Sequence, residues 1–325
     1  MLVSAGVVAV LLRFAAALPV AHPNDRTLHQ RPIPRVGGVA IWCGALPALV
    51  LAGAGLPGGF AGWAPACAAL ALVSLVDDMR GAPVLARLAV HVLACAWAAT
   101  FALRLSGSAM PGVVTGEAYG AAVVLLAVAL AWCANLYNFM DGSDGLAGAT
   151  TVIGFAALAA GSGDGAVRTA GACIAAAAVP FLMVNAPPAR LFLGDIGAVP
   201  LGFLAGLLGL GGVLRGAWPM WFPALVFLPF LADATATLAR RLARGEAVWR
   251  AHRSHYYQRF HQLGAGHPGT LLLYSGLTFA TAGTGLVCLA FAPALGASAL
   301  GAWTAALAAL FAAIDYHWRR KPTTR

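Results

Sequence analysis

The sequence predicts an all-α polytopic membrane protein, and three observations support that prediction. Hydrophobic residues make up 61% of the 325 residues and charged residues only 10%, well below the roughly 25% of a soluble domain. The mean hydropathy is +0.82. The apolar residues gather in long runs, and about 20 residues are enough for a helix to cross a bilayer. The sequence therefore predicts one integral membrane domain, 1–325, with about eleven transmembrane helices or, alternatively, ten.

The apolar runs give the predicted membrane segments in chain order. They are rich in Ala, Leu and Gly, whose small side chains suit close helix packing in a bilayer. The first run contains the small residues of a signal peptide but has no basic residues before it, so we expect an uncleaved span. The segments are 2–20, 37–55, 61–76, 84–104, 119–136, 149–163, 167–186, 198–214, 218–238, 270–292 and 295–314.

The basic residues set the predicted orientation. Sixteen of the 20 Lys and Arg residues fall on the side reached after the odd-numbered segments. The positive-inside rule makes that side cytoplasmic, with the N-terminus outside and the C-terminus in the cytoplasm. The net charge of +9 does not indicate a nucleic-acid partner, because membrane segments interrupt the basic residues. The predicted cytoplasmic loops are about 21–36, 77–83, 137–148, 187–197 and 239–269.

Nine of the 11 carboxylates lie at or near the same side, although no charge rule requires it. Carboxylates close to hydrocarbon are costly and usually functional. We therefore expect the active site at the cytoplasmic helix ends. For Asp233, at the bilayer edge, a functional role and a salt bridge that aids packing both remain open. His91 is expected only to be hydrogen-bonded within the bundle, and the six cysteines are interpreted as small buried hydrophobes.

The densest polar stretch is NLYNFMDGSDGLAG, Asn135–Gly148. It places Asn135, Asn138, Asp141 and Asp144 between two apolar runs. Its glycines allow the backbone to approach a ligand closely. A calcium loop fits poorly, because the ligand alternation and the terminal glutamate are absent.

Two further acidic motifs stand at predicted helix ends. Adjacent Asp77 and Asp78 would point to different sides of a helix, so that one could bind a cation while the other orients a substrate group or accepts a proton. Paired carboxylates with open water positions suit Mg²⁺, which takes few protein ligands together with phosphate oxygens. Asp195, between Gly194 and Gly197, offers another metal ligand. Each motif alone also has an ordinary interpretation as a solvated helix end or loop.

The first predicted loop, HPNDRTLHQRPIPRVGG, carries Asn24, Arg26, His29, Arg31 and Arg35 before a glycine-initiated helix. Basic groups beside a helix N-terminus are typical of a phosphate site. Cytoplasmic positive charge without a ligand is the alternative interpretation.

The last predicted loop contains AHRSHYYQRF, residues 251–260. His252, Arg253, His255 and Arg259 could bind a diphosphate. The alternative is a juxtamembrane basic segment that binds anionic lipid headgroups.

Together these motifs resemble those of the polyprenyl-phosphate N-acetylhexosamine-1-phosphate transferases, of glycosyltransferase family 4 type. The matching stretches are PNDRTLHQRPIPRVGG, VDD, NLYNFMDGSDGL, FLGDIGA and HRSHYYQR, in that order over about residues 1–260. The resemblance implies transfer of a sugar-1-phosphate from a UDP-N-acetylhexosamine to undecaprenyl phosphate, with release of UMP. It also implies Mg²⁺, with Mn²⁺ as a substitute, a multi-pass location in the bacterial inner membrane, and a homodimer as one compatible assembly.

The resemblance also implies roles for individual residues. The implied catalytic residues are Asp77, Asp78, Asp141 and Asp144, and the implied metal ligands are Asp195 and Asp78. The implied substrate-binding residues are Asn24, Arg26, His29, Asn135, Asn138, His252, Arg253, His255 and Arg259.

Two departures from the family pattern bear on specificity. Ala198 stands where serine is frequent. HRSHYYQR is more similar to the O-antigen-initiating branch, which handles N-acetylfucosamine- or N-acetylquinovosamine-type sugars, than to the phospho-MurNAc-pentapeptide translocase. The competing functions are a secondary transporter and an inactive relative. Transporter carboxylates usually lie near the bilayer midplane in two related halves, and UMP release would separate these alternatives.

Overall fold

The computed structural model describes residues 1–21, 28, 32–106, 117–247 and 252–321. These residues form α-helices joined by short 3₁₀ and π turns, with one antiparallel pair of two-residue strands, β1 (Val20–Ala21) and β2 (Ile33–Pro34). The helices are α1 (Leu2–Arg13), α2 (Gly37–Ala52), α3 (Gly59–Arg80), α4 (Val84–Leu105), α5 (Glu117–Phe139), α6 (Leu146–Gly161), α7 (Gly165–Asn185), α8 (Asp195–Leu214), α9 (Trp221–Val226), α10 (Leu228–Ala243), α11 (Tyr256–Phe260), α12 (Gly266–Phe291) and α13 (Gly296–Arg320).

Seven of the described helical segments are long and apolar enough to cross a membrane, and they include α3, α4, α5, α7, α8, α12 and α13. Three further apolar helices, α1, α2 and α6, are shorter. Every predicted membrane segment overlaps a helix. The prediction of an all-α polytopic membrane protein is therefore confirmed. The number of spans and the orientation stay predictions.

The helix boundaries differ from the predicted segments at functionally relevant places. Helix α3 continues to Arg80, so the adjacent aspartates lie in its last turn. Helix α5 continues to Phe139, and α8 begins at Asp195. The predicted segment 218–238 is broken between α9 and α10 at Phe227. Proline accounts for the break, because Pro229 lies at the second position of α10 and has no N–H to donate to the carbonyl four residues earlier.

Helix α8 forms the centre of the bundle and is buried along most of its length. It packs against α3 and α5, while α7 packs against α2 and α6. Its glycines permit the close approach, since a Cβ at Gly202 would collide with the backbone of α5 at Cys133. The first residue of α8 is thereby fixed beside the last turn of α3 and the last turn of α5. Those ends build the candidate site.

Candidate active site

The segment before α8 is held by the backbone that leads into α2. Phe192 N–H donates to the Pro34 carbonyl at 2.8 Å, and Gly37 N–H donates to the Phe192 carbonyl at 2.8 Å. Gly194 has φ +75°, and a Cβ there would overlap the carbonyl of Arg35. Glycine is therefore required at 194, both for its backbone conformation and for this close contact. The two segments form one rigid support for Asp195.

Asp78 joins that support to α3. Its carboxylate accepts the Ile196 N–H at 3.2 Å, one of the N–H groups that a helix N-terminus leaves without an intrahelical partner. Arg35 Nη2 lies 3.1 Å from Asp78 Oδ1 and donates to the Asp78 carbonyl at 2.9 Å. Asp78 is only 7% exposed. The first loop, α3 and α8 thus meet at this carboxylate.

Asp77, on the neighbouring position of α3, faces α4 instead. Its carboxylate accepts the Ala82 N–H at 2.7 Å and pairs with Arg87. The same guanidinium nitrogen of Arg87 lies 3.5 Å from Asp195 Oδ2, which also accepts the Asn138 side-chain amide at 3.1 Å. The two adjacent aspartates therefore make different contacts, as the sequence predicts. Asp195 is contacted both by Arg87 of α4 and by Asn138 of α5.

Asp141 lies in the short loop between α5 and α6 and is partly buried. Burial raises the pKa of its carboxyl well above the ordinary value, and the negative charges of Asp195 and Asp78 raise it further. A group shifted by like charges in a cleft indicates a functional site. The loop aspartate therefore belongs to the same electrostatic cluster as the α3 and α8 carboxylates.

We expect Asp141→Asn to stabilise the fold when cations and substrates are absent. Because the folded-state pKa is raised, ionisation favours the unfolded chain, and the wild type loses stability as pH rises from about 4 toward that pKa. Asn cannot ionise. The gain in thermal unfolding temperature should be near zero at about pH 4 and should grow toward neutral pH. Unfolding in detergent with a chelator checks this, and a gain independent of pH would contradict the raised pKa.

Asp144 anchors the central loop from within. Its Oδ2 accepts the Ala189 N–H at 2.9 Å, and its own N–H donates to His267 Nδ1 at 3.1 Å. Asn185 completes the anchor, since its Oδ1 accepts the Gly145 N–H at 3.0 Å. In this arrangement Asp144 orders the loop, and its catalytic role stays a prediction.

The last loop docks onto the central loop through a tyrosine. Tyr257 is fully buried, and its hydroxyl donates to the Phe139 carbonyl at 3.1 Å. A Cβ at Gly142 would overlap that hydroxyl. The glycine of the central motif is thus required by a segment more than a hundred residues later.

We expect Gly142→Ala to lower both the thermal unfolding temperature and the activity, because the added methyl group would displace Tyr257. Adding a methyl group to a well-packed site lowers the free energy of unfolding by about 1–3 kcal/mol. Thermal unfolding in detergent and an activity assay would measure both effects. Gly276→Ala, at a position with open space around its Cβ, is the matched control. Equal stability of the two variants would contradict the docking.

The predicted basic residues of the last loop occupy different surroundings. His252 and His255 stack with ring centroids 4.8 Å apart, and His255 Nδ1 lies 3.3 Å from Asp233. Arg253 is exposed. The Arg259 guanidinium is turned toward α13, where it pairs with Asp315. The two histidines are thus the members of this group that line a cavity of the site.

Two cavities adjoin Asp77, Asp78, Asp141 and Asp195, the acidic cluster. The first is lined by two of these carboxylates, and the second is lined by Arg87 and Asn138, which contact Asp195. A polar pocket of about 180 Å³ is lined by Asp141, Asp195, Arg35 and residues of the Asp144 anchor. A larger groove of about 580 Å³ runs between α4, α5 and α10. Most of its walls are apolar, and its polar lining residues are Arg87, His91, Asn135, Asn138, His252, His255 and Gln258. One cavity therefore suits a polar ligand, and the other suits an amphipathic one.

The sequence comparison matches a known family over the part of the chain that builds the site. The model of "Glycosyl transferase family 4" matches residues 60–213, which cover nearly all of α3 to α8 and include all four carboxylates of the cluster. Over that region the chain is similar to glycosyl transferase family 4.

Similar proteins of known name extend the match over most of the chain. A "Probable undecaprenyl-phosphate N-acetylglucosaminyl 1-phosphate transferase" of Bacillus subtilis is 23% identical, with 78% of this chain and 73% of the relative covered. A "Decaprenyl-phosphate N-acetylglucosaminephosphotransferase" of Mycobacterium leprae is 28% identical, covering 82% and 76%. An "Undecaprenyl-phosphate alpha-N-acetylglucosaminyl 1-phosphate transferase" of Yersinia pestis is 28% identical, covering 75% and 70%.

Three of the predicted substrate-binding residues lie outside the described residues, namely Asn24, Arg26 and His29. Asn135 lines the groove and lies 3.3 Å from His91 Nδ1, so the expected hydrogen bond of that histidine within the bundle is confirmed.

Sequence reasoning gave no site role to several residues that the fold brings to the two cavities. Arg87 appears in the sequence only as cytoplasmic positive charge, and Arg35 only as one of several basic residues of the first loop. Nothing separates His267 from other loop histidines. Asn185 had a usable signal, since it stands ten residues before Asp195 at the start of the same loop. Gln258 lines both cavities and is part of the histidine motif.

Proposed function

We propose that this protein transfers an N-acetylhexosamine-1-phosphate from a UDP-sugar to undecaprenyl phosphate and releases UMP. N-acetylglucosamine is the first sugar to test, because the named relatives act on it. An O-antigen-type sugar is the alternative that the HRSHYYQR motif favours. The product would initiate a cell-surface polysaccharide at the bacterial inner membrane, with the chain acting as a monomer or a homodimer.

The observation that carries this proposal is that two cavities of different character lie on either side of Asp195, which lines one of them and is contacted by Arg87 and Asn138 of the other. The polar pocket has the size and lining for part of a nucleotide sugar. The groove has apolar walls, and Leu88, Val92 and Val128 expose more than 40% of their surface on the outside of the bundle. A lipid could enter it laterally from the bilayer. A water-soluble donor and a lipid acceptor would therefore meet beside Asp195.

The residues of the cluster fit phosphoryl transfer, which depends mainly on positioning and on charge neutralisation. Arg35 and Arg87 hold Asp78 and Asp77 in fixed places, and Asn138 orients Asp195. The two histidines of the last loop lie at the polar end of the groove, where they would neutralise charge on the departing nucleotide. Two mechanisms are consistent with this arrangement. In the first, Asp77 is the base that accepts a proton from the lipid phosphate. In the second, an aspartate forms a covalent intermediate.

The same carboxylates fit a divalent cation. Asp77, Asp78, Asp141 and Asp195 face two guanidinium groups, so full ionisation leaves an excess of two negative charges. Among the described residues no group of three His, Cys, Asp or Glu side chains forms a ready-made cation site. Mg²⁺ commonly binds to one or two carboxylates and to substrate phosphates. Asp195 and Asp78 would hold Mg²⁺, or Mn²⁺ in its place, and the ion would stabilise negative charge on the diphosphate.

UMP release by the purified protein tests the proposal. The assay combines undecaprenyl phosphate, Mg²⁺ and a panel of UDP-N-acetylhexosamines, with omission of the lipid or the metal as controls. Release that needs lipid, metal and one of the sugars is the expected result, and the fastest sugar identifies the branch. If no sugar of the panel is turned over and no UDP-sugar binds in the presence of Mg²⁺, the proposal is wrong and a non-enzymatic role would follow.

A further inference from the structure

Arg87 stands between the groove and the acidic cluster. It lies in the first turn of α4 and lines the groove. One of its terminal nitrogens contacts two carboxylates, Asp77 from α3 and Asp195 from α8. These ion pairs hold the guanidinium at the point where a ligand in the groove would reach the cluster.

The guanidinium of Arg87 has donors left over. An arginine carries five N–H donors, and the hydrogen bonds of Arg87 to the described residues use Nη1. Its Nε is buried and has no hydrogen-bond partner among the described residues. A buried donor without an acceptor costs free energy, so the described protein groups do not fully satisfy this guanidinium. The side chain is nevertheless 29% exposed, so a ligand has access to it.

The groove offers this cation to one kind of ligand. Arg87 is the sole Arg or Lys among the described residues that line it. The apolar walls on α4 and α5 suit a hydrocarbon chain. An anionic headgroup on that chain would be repelled by four nearby carboxyl groups unless a cation neutralised it. Arginine binds phosphate through paired N–H groups, which also fixes the orientation of the phosphate.

We propose that Arg87 binds the phosphate of the lipid acceptor and holds it against the acidic cluster. Its pairs with Asp77 and Asp195 orient the guanidinium for this contact. This inference rests on the proposed function, because it names the residue that receives one of the two substrates. It separates Arg87 from Arg35, which lines the polar pocket and is paired with Asp78.

Direct binding of labelled undecaprenyl phosphate to the purified protein in detergent tests the inference without turnover. Undecaprenol, which lacks the phosphate, serves as the probe for the hydrocarbon chain. We expect Arg87→Gln to weaken binding of the phosphate about 10- to 100-fold and to leave undecaprenol binding unchanged. Arg87→Lys should give an intermediate loss, because it keeps the charge but not the paired donors. In Arg87→Gln the Michaelis constant for the lipid phosphate should rise, and the Michaelis constant for the UDP-sugar should change less than about threefold.

Arg80→Gln is the matched control, because Arg80 is an exposed basic residue near the same aspartates that does not line the groove. It should bind both probes as the wild type does. Equal losses for both probes in Arg87→Gln would show a role in groove shape and overturn the inference. Unchanged phosphate binding, or a wild type that does not bind undecaprenyl phosphate, would overturn it as well. A wild type that binds the lipid phosphate but releases no UMP would instead refute the proposed function.

Discussion

Asp195→Asn is expected to lower UMP release at least about 100-fold while leaving the fold intact. Removing a residue that only hydrogen-bonds to a metal ligand typically lowers metal affinity or activity about 10- to 100-fold. Asp195 is proposed as a ligand itself, so its loss should have at least as large an effect. Asn has nearly the same size and keeps an acceptor for the Asn138 amide, which donates at 3.1 Å. The substitution therefore removes mainly the charge. Steady-state UMP release and the thermal unfolding temperature, measured on the same preparation, would separate the two effects.

The control for Asp195→Asn is Glu246→Gln. Glu246 also pairs with an arginine, Arg241, but its side chain is 43% exposed and it lines neither the polar pocket nor the groove. It should retain wild-type activity. Cation binding supplies a second readout, since Asp195→Asn should weaken Mn²⁺ binding measured in the presence of UDP-sugar. Near-normal turnover in Asp195→Asn would remove Asp195 from the proposed reaction.

Asp233→Ala is expected to lower the free energy of unfolding by about 3–5 kcal/mol, as for loss of one partner from a buried charged network. Asp233 is completely buried. Its two oxygens accept the N–H groups of Tyr256 and Tyr257 at 2.9 and 2.8 Å. The Tyr274 hydroxyl donates to it as well. Alanine would leave these donors unsatisfied in the interior, each at a cost of about 1–3 kcal/mol. Thermal or denaturant unfolding in detergent would measure the loss.

Asp233→Ala should also lower activity, because its carboxylate fixes the start of α11 and lies beside His255. Two further variants provide a scale for the loss of stability. Thr237→Val removes a single donor to the same carboxylate, which accepts the Thr237 hydroxyl at 3.1 Å, and should cost only about 1 kcal/mol. Asp233→Asn should fall between the two. A stability of Asp233→Ala close to that of Thr237→Val would contradict the anchoring role. Of the two interpretations that the sequence left open for Asp233, these contacts favour the packing role.

Much of the fold and part of the site could be predicted, because their signals are local. A membrane helix is predicted from an apolar run of sufficient length. An aspartate at the end of such a run stands out, because a carboxylate near hydrocarbon is energetically costly. Asp77, Asp78, Asp141 and Asp195 were found in this way. The helix break at Phe227 was missed because the run stays apolar across it, although Pro229 was a usable signal.

The partners of those residues could not be predicted, because they come from distant parts of the chain. Asp315 engages Arg259, which the sequence suggested as a diphosphate ligand, only because α13 packs beside α11. In the sequence that aspartate is only one of the nine carboxylates on the predicted cytoplasmic side. The same holds for Tyr257, whose contact explains the glycine at 142.

The sequence by itself therefore determined the class of protein, the family motifs and the carboxylates that form the cluster, because composition, run length and motif order are properties of the chain. Tertiary structure decided which charges neutralise which. It placed Arg35 on Asp78 and Arg87 between Asp77 and Asp195, with a polar pocket and an apolar groove on either side of Asp195. The physical reason is that pairing energies depend on distance and burial, which exist only once α3, α4 and α8 are packed together.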